Sequence, residues 1–411
     1  MLSQEVDRAR SVAAMLVVGV GSRHEDDADA GVSHLIEHLV FKGTRKYPGP
    51  GEISQAIEAV GGVVNASTDR ELTVLTAKVP RDHAATALEV LGEMAFRPLL
   101  RAEDVAGERP VIVDEIRMYE DSPSDRIFSL FDALLFGRHP LGREIAGSPT
   151  SVRRIALRTL REHWSRWYRP EHVVLAAAGA VDHAALVEAG EAWWTDDREP
   201  APRSLSVMRP PPDDTAARVR VSFRELGQGN LCLGMRGIPR THPDRWALEL
   251  ASAVLGDGMS SRLFVELRER RSLVYEVSTF SSMLSDAGTF GVYAGFDPPR
   301  AEEVIRAIID ELERLVQQPV PEPELEKARA YTIGRLELRM EDTGAVASWL
   351  GHAEQLYPRV LTVDEVIEGF RGVTADDVLR VARAYLVPSR ARLALLGPFR
   401  GGSRFERLLA A

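Results

Sequence analysis

Apolar and polar positions follow one succession of rhythms along the chain, and that succession occurs twice. A strand-like run from Ser11 to Val20 precedes a segment with ionisable residues at helical spacing. An alternating run from Val63 to Val79 follows, then a helical stretch from Ala84 to Phe96. The series restarts with strand-like text from Val219 to Gly234, an apolar helix from Trp246 to Leu255, alternation from Val277 to Phe296 and a helix from Ala301 to Gln317. Each series closes on a similar phrase. Trp164-Ser-Arg-Trp-Tyr168-Arg-Pro170 leads into the apolar run Val173 to Ala178 and Gly179, and Ala382-Arg-Ala-Tyr385-Leu-Val-Pro388 leads into Ala391 to Leu396 and Gly397. Tyr168 and Tyr385 are 217 residues apart, and Gly179 and Gly397 are 218 apart.

Strands grouped with helices of this length predict an α+β fold. It consists of two tandem homologous domains, each a mainly antiparallel sheet with helices packed on one face. Between them, Asp197 to Thr215 carries Pro200, Pro202, Pro210, Pro211 and Pro212, which cannot sit in a long helix or a central strand. The expected division is a first domain over 1–196, a Pro-rich linker over 197–215 and a second domain over 216–411.

Composition narrows the classes. A chain of 411 residues with 45% hydrophobic content can bury two sizeable cores. No uncharged apolar run reaches the roughly 18 residues a membrane span needs. The segment Met1 to Asp7 lacks the basic-then-apolar pattern of a signal peptide. Cys232, the single cysteine, can form no internal disulfide, and between Leu231 and Leu233 it reads as a buried strand residue. These features point to the cytoplasm. A net charge of −10 without a Lys/Arg cluster argues against nucleic acid and favours neutral or basic peptide ligands.

The candidate chemistry lies in His34-Leu-Ile-Glu37-His38. On a helix, His34 and His38 leave the same face one turn apart, within reach of a single zinc ion at about 2.1 Å from each nitrogen. Glu37 lies beside them, where a general base would stand. With one remote carboxylate, for which Glu115 in Val-Asp-Glu-Ile-Arg is a candidate, and one open position, the set describes a catalytic zinc site. Manganese or cobalt would also fit such ligands. A shift by the repeat length places Ala251, Val254 and Leu255 where the first domain has His34, Glu37 and His38. The fold does not need ionisable groups there.

With these residues and the duplication, the chain resembles the pitrilysin-type metallopeptidases, whose motif is His-x-x-Glu-His. It is most similar to the short-chain branch that includes the mitochondrial processing peptidase and its bacterial relatives. The resemblance spans about Ser11 to Pro398. It implies one zinc per chain held by His34, His38 and Glu115, with 76 residues between His38 and Glu115 as in the family. It further implies Glu37 as general base and Glu108 as a supporting acid. The text Gly61-Gly62-Val-Val-Asn65-Ala66-Ser67-Thr68-Asp-Arg70-Glu71 resembles the family's substrate-binding edge strand, with Asn65, Ala66, Ser67 and Thr68 along a peptide in extended form. Arg268 and Tyr275 match a pair that holds the substrate carbonyl and oxyanion. The segment His139-Pro-Leu-Gly-Arg143 resembles family text to which no chemistry is assigned.

The implied activity is hydrolysis of unfolded peptides or of leader or targeting segments. The implied assembly is a homodimer that shares active sites between subunits. The alternatives are a non-catalytic or partner-dependent subunit that binds peptides, and an unrelated small-molecule zinc hydrolase. The chain departs from the family at three places. It starts past a first strand containing Asn-Gly-Leu, which leaves that strand shortened or the true start upstream. Ser272 stands where glycine is common, and Pro110 predicts a kink before Glu115 unless a helix begins there.

Overall fold

The computed structural model describes residues 1–193, 208–210 and 218–410. Apart from 208–210, the linker expected over 197–215 lies outside the described residues. The chain forms two compact units, and neither is continuous in sequence. The first comprises Met1–Met118, Arg143–Met208 and Leu338–Leu361; the second comprises Tyr119–Gly142, Arg209–Glu337 and Thr362–Ala411.

The first unit holds strands β1 (Leu2–Glu5), β2 (Ser11–Val18), β3 (Val63–Thr68), β4 (Thr73–Pro80) and β5 (Val173–Gly179), in the spatial order β1-β5-β2-β4-β3. The second holds β6 (Val219–Phe223), β7 (Gly229–Gly237), β8 (Val274–Met283), β9 (Gly288–Phe296) and β10 (Arg392–Gly397), in the order β6-β10-β7-β9-β8. The orders are the same, strand for strand. In each sheet one pair is parallel, β1 with β5 and β6 with β10, and the rest are antiparallel. The run 219–234 is therefore two strands, not one. A short first strand is present, Leu2–Glu5 beside β5.

Burial explains the two rhythms. β2 is buried from Val12 to Val18 because both of its faces are covered. Ala14, Leu16 and Val18 join the main core with Leu35, Ile36 and Leu39 of helix Val32–Leu39 and with Leu88, Leu91 and Met94 of helix Ala84–Phe96. Ala13, Met15 and Val17 point the other way, onto Val346 and Ala347 of helix Thr343–Leu356. β3 alternates exposed and half-buried residues because it is the last strand of its sheet.

In the second unit, helix Pro123–Phe136 lays Ile127, Phe131 and Leu135 on Cys232, Ala394 and Leu396. A fully buried Phe or Leu of this kind contributes roughly 2–3 kcal/mol. The sequence reading puts helices on one face of each sheet. The main helical layer is there, and one further helix, drawn from the other half of the chain, covers the second face. Cys232 is buried within β7, as its neighbours predict. Among the described residues, no helix is long and apolar enough to cross a membrane.

Candidate metal centre

Helix Val32–Leu39 opens abruptly. Gly31 takes φ 97°, and a Cβ there would lie 2.4 Å from the Ala146 carbonyl oxygen. The first turn lacks a side-chain cap of its own. Instead the buried Glu25 carboxylate accepts from the Gly31 and Ser33 backbone N–H groups at 2.7 and 2.8 Å. Negative charge at a helix N-terminus is favourable. Burial pushes the Glu25 carboxyl above the usual carboxylate range, while those two N–H groups, the Ser33 hydroxyl and Arg143 pull it down. Arg143 donates to the Ser22 and Glu25 carbonyls at 3.2 and 2.6 Å and pairs with Asp27 at 2.5 Å. The family-like text around residue 143 thus ties down the loop that launches the helix.

The His34 and His38 rings meet edge to face one turn apart, with centroids 4.8 Å apart and planes at 60°. Facing them is helix Ala102–Asp121, which runs continuously through Pro110 rather than starting there. Glu108 and Glu115, two turns apart, project from one side of it. Glu115 Oε2 is 3.3 Å from His38 Nε2 and 3.8 Å from His34 Nε2. One ligand atom from each of the three residues lies within 4.8 Å of the others. Two bonds of about 2.1 Å at a tetrahedral angle separate their ligand atoms by about 3.4 Å, so the donor set fits zinc with modest closure. Behind it, Glu108 Oε2 sits 3.0 Å from His38 Nδ1, and Glu108 Oε1 meets Lys42 Nζ at 2.5 Å. Burial lowers His34 to about 4, with His38 adding to the effect, so its imidazole is neutral at pH 7 as a metal ligand must be.

Glu37 points from the same helix toward β3. Its Oε2 is buried with no hydrogen-bond partner among the described residues. Burial raises its pKa; Thr68 and His38 oppose the rise and Glu115 adds to it. β3 pairs with β4 alone, and its other edge faces no strand among the described residues. Asn65 and Ser67 are exposed, Ala66 and Thr68 half-buried, and the Asn65 side-chain oxygen accepts from the Ala66 N–H at 2.9 Å. The structure therefore gathers His34, Glu37, His38, Glu108, Glu115 and Thr68 in one unit.

Arg268 and Tyr275 belong to the second unit. Arg268 lies in a π-helical turn, Phe264–Arg270, with its guanidinium 4.9 Å from the Phe264 ring centre. Tyr275 is 58% exposed and falls where the β8–β9 register slips between Val274 and Glu276. An extra residue at such a bulge has its side chain re-aimed. Ser272, in the turn between them, takes φ 47°, the left-handed conformation that suits glycine. In that unit Ala251, Val254 and Leu255 are core residues of helix Arg245–Gly256.

The sequence reading missed Glu25, Lys42 and the role of Arg143. Lys42 lies three residues past the end of helix Val32–Leu39, so helical spacing did not forecast its contact with Glu108. Glu25 carried no signal either, because a loop brings it back onto the helix.

The sequence model of "Insulinase (Peptidase family M16)" matches residues 1–149, and that of "Peptidase M16 inactive domain" matches residues 154–331. An uncharacterized zinc protease of Streptomyces coelicolor is 37% identical over 404 residues, covering 97% of this chain and 88% of that one. The uncharacterized zinc protease YmxG of Bacillus subtilis is 32% identical over 389 residues, with 95% and 93% covered. Two crystal structures share the fold. A protease from Helicobacter pylori has TM-score 0.91 at 24% identity, with 96% of each chain covered. A peptidase M16 inactive domain from Pseudomonas fluorescens has TM-score 0.87 at 20% identity, with 97% and 96% covered. Duplicated sheets, matches along both halves and full-length relatives above 30% identity together establish that this chain belongs to peptidase family M16, the pitrilysin-type group, as a short bacterial-type member.

Proposed function

We propose that this chain is a zinc-dependent metalloendopeptidase that hydrolyses bonds in unfolded peptides or in leader or targeting segments. The observation that carries the reading is the convergence of His34, His38 and Glu115 beside the half-buried Glu37. When bound, zinc supplies Lewis acidity and a water with a pKa lowered to about 7. Glu37 takes a proton as the water oxygen attacks the peptide carbonyl, and returns it to the amine nitrogen as the C–N bond breaks. The open edge of β3 holds the substrate as an added strand, which selects extended backbone more than side-chain identity. The Asn65 side chain must then release the Ala66 N–H. Arg268 and Tyr275 act on the substrate carbonyl, contributed by the second unit of another copy in a cytoplasmic homodimer.

The test is hydrolysis of a mixture of unstructured peptides, read by mass spectrometry with metal content measured, for the wild type and Glu37→Gln. Cleavage that disappears in a zinc-loaded Glu37→Gln supports the reading. An inert, zinc-loaded wild type refutes it in favour of a peptide-binding or partner-dependent subunit.

A further inference from the structure

The zinc reading leaves Lys42 without a role, yet its ammonium is fixed against the acid that supports His38. Lys42 Nζ lies 2.5 Å from Glu108 Oε1, while the other oxygen of that carboxylate lies 3.0 Å from His38 Nδ1. Glu108 is only 7% exposed. The backbone of Lys42 is held on both sides. Its N–H donates to the Leu39 carbonyl at 3.0 Å, and its carbonyl accepts from Arg101 Nη2 at 2.8 Å. Arg101 in turn bonds Asp104 at 2.6 Å, in the first turn of the helix that carries Glu108.

We propose that Lys42 is a positioning residue for the metal centre: it fixes the Glu108 carboxylate, which fixes the ring and tautomer of His38. A carboxylate turns readily about its last torsion, which has a broad two-fold profile. A charge-assisted bond to one oxygen removes that freedom and leaves the other aimed at Nδ1. With Nδ1–H donating to Glu108, the His38 Nε2 lone pair is left facing Glu115 Oε2, 3.3 Å away. Partners of this outer kind typically govern metal affinity by 10- to 100-fold. The inference rests on the zinc reading and adds to it a residue that sets how tightly the ion is held.

The test is competition for zinc against a chromophoric chelator, using the full chain. The variants are Lys42→Met, Lys42→Gln, Lys42→Arg, Glu108→Gln and the Lys42→Met/Glu108→Gln double variant. Lys42→Met and Lys42→Gln should each weaken zinc binding by about tenfold, and Lys42→Arg should recover most of the loss. On the Glu108→Gln background, Lys42→Met should cost nothing further, a dependence that a merely structural lysine would not show. Zinc binding by the neutral variants within about twofold of wild type, or losses that add with Glu108→Gln, overturn the inference while the zinc reading stands. A wild type that takes up no zinc overturns both.

Discussion

Replacing Glu249 by glutamine tests how the second unit tolerates a carboxyl in a largely buried helix. Glu249 lies on helix Arg245–Gly256 between Leu248 and Leu250, both fully buried. Burial raises its pKa from 4.5 to about 7, with Arg245, one turn earlier, pulling it down. The folded chain therefore holds this proton more tightly than the unfolded chain does. The stability gained is fully present below about pH 4.5 and is lost as pH rises through 7. Each tenfold change in proton affinity is worth about 1.4 kcal/mol, so the ideal loss between pH 5 and pH 8 is about 2.5 kcal/mol. Glu249 is not wholly shielded from water, so about 2 kcal/mol is the figure to expect.

Glutamine does not titrate in this range, so its own effect on packing is the same at every pH. Urea unfolding of both proteins at pH 5, 6, 7 and 8 should show Glu249→Gln gaining on wild type by about 2 kcal/mol across the series. Hydrogen exchange in residues 245–256 should report the same trend locally. A difference that stays constant to within roughly 0.5 kcal/mol would mean that folding leaves the proton affinity of the carboxyl unchanged, and would refute the reasoning.

Two further outcomes follow from backbone and capping geometry. Ser272→Gly removes a side chain from a left-handed residue (φ 47°) whose carbonyl accepts from Arg300 at 2.9 Å. It should raise the urea midpoint by the equivalent of up to about 1 kcal/mol, because the relief of about 1–2 kcal/mol exceeds the added chain entropy. A lower midpoint would show that the serine side chain earns its place there. Glu25→Ala leaves the Gly31 and Ser33 N–H groups without their acceptor and should destabilise the first unit by about 1–2 kcal/mol. Unchanged melting would show that water replaces the carboxylate at no cost.

Legibility in the sequence followed the range of each interaction. His34, Glu37 and His38 could be read because helical spacing alone brings them together. The alternating run Val63 to Val79 showed that strand structure lies there, but it spans both β3 and β4, and the edge position of β3 came only from resemblance to a family. The apolar helix at Ala251, Val254 and Leu255 followed from the repeat. Glu115 is different. No periodicity links it to residue 38, so it stood as one candidate carboxylate until its 76-residue spacing from His38 matched that of a family. Pro110 predicted a kink unless a helix began there; helix Ala102–Asp121 begins earlier and runs through it, with Val105, Ile112, Val113 and Ile116 buried along its length. Which sheet each helix covers could not be read at all. Helices Pro123–Phe136 and Thr343–Leu356 each pack on a sheet built mainly from the other half of the chain, a contact between residues far apart in sequence that no local pattern reports.

That exchange of helices has a consequence for how the chain is made. The five strands of the first sheet have all been synthesised once Gly179 leaves the ribosome, but the helix that covers Ala13, Met15 and Val17 begins at Thr343. At roughly 5–20 residues per second, one side of that sheet stays bare for on the order of ten seconds. A nascent chain in this state presents a sticky apolar surface, which a chaperone or rapid completion of synthesis must shield. For the same reason, a gene cut between the two halves would yield two proteins, each with an apolar sheet face that only a helix on the other could cover. They would be expected to reach the native state only when made together.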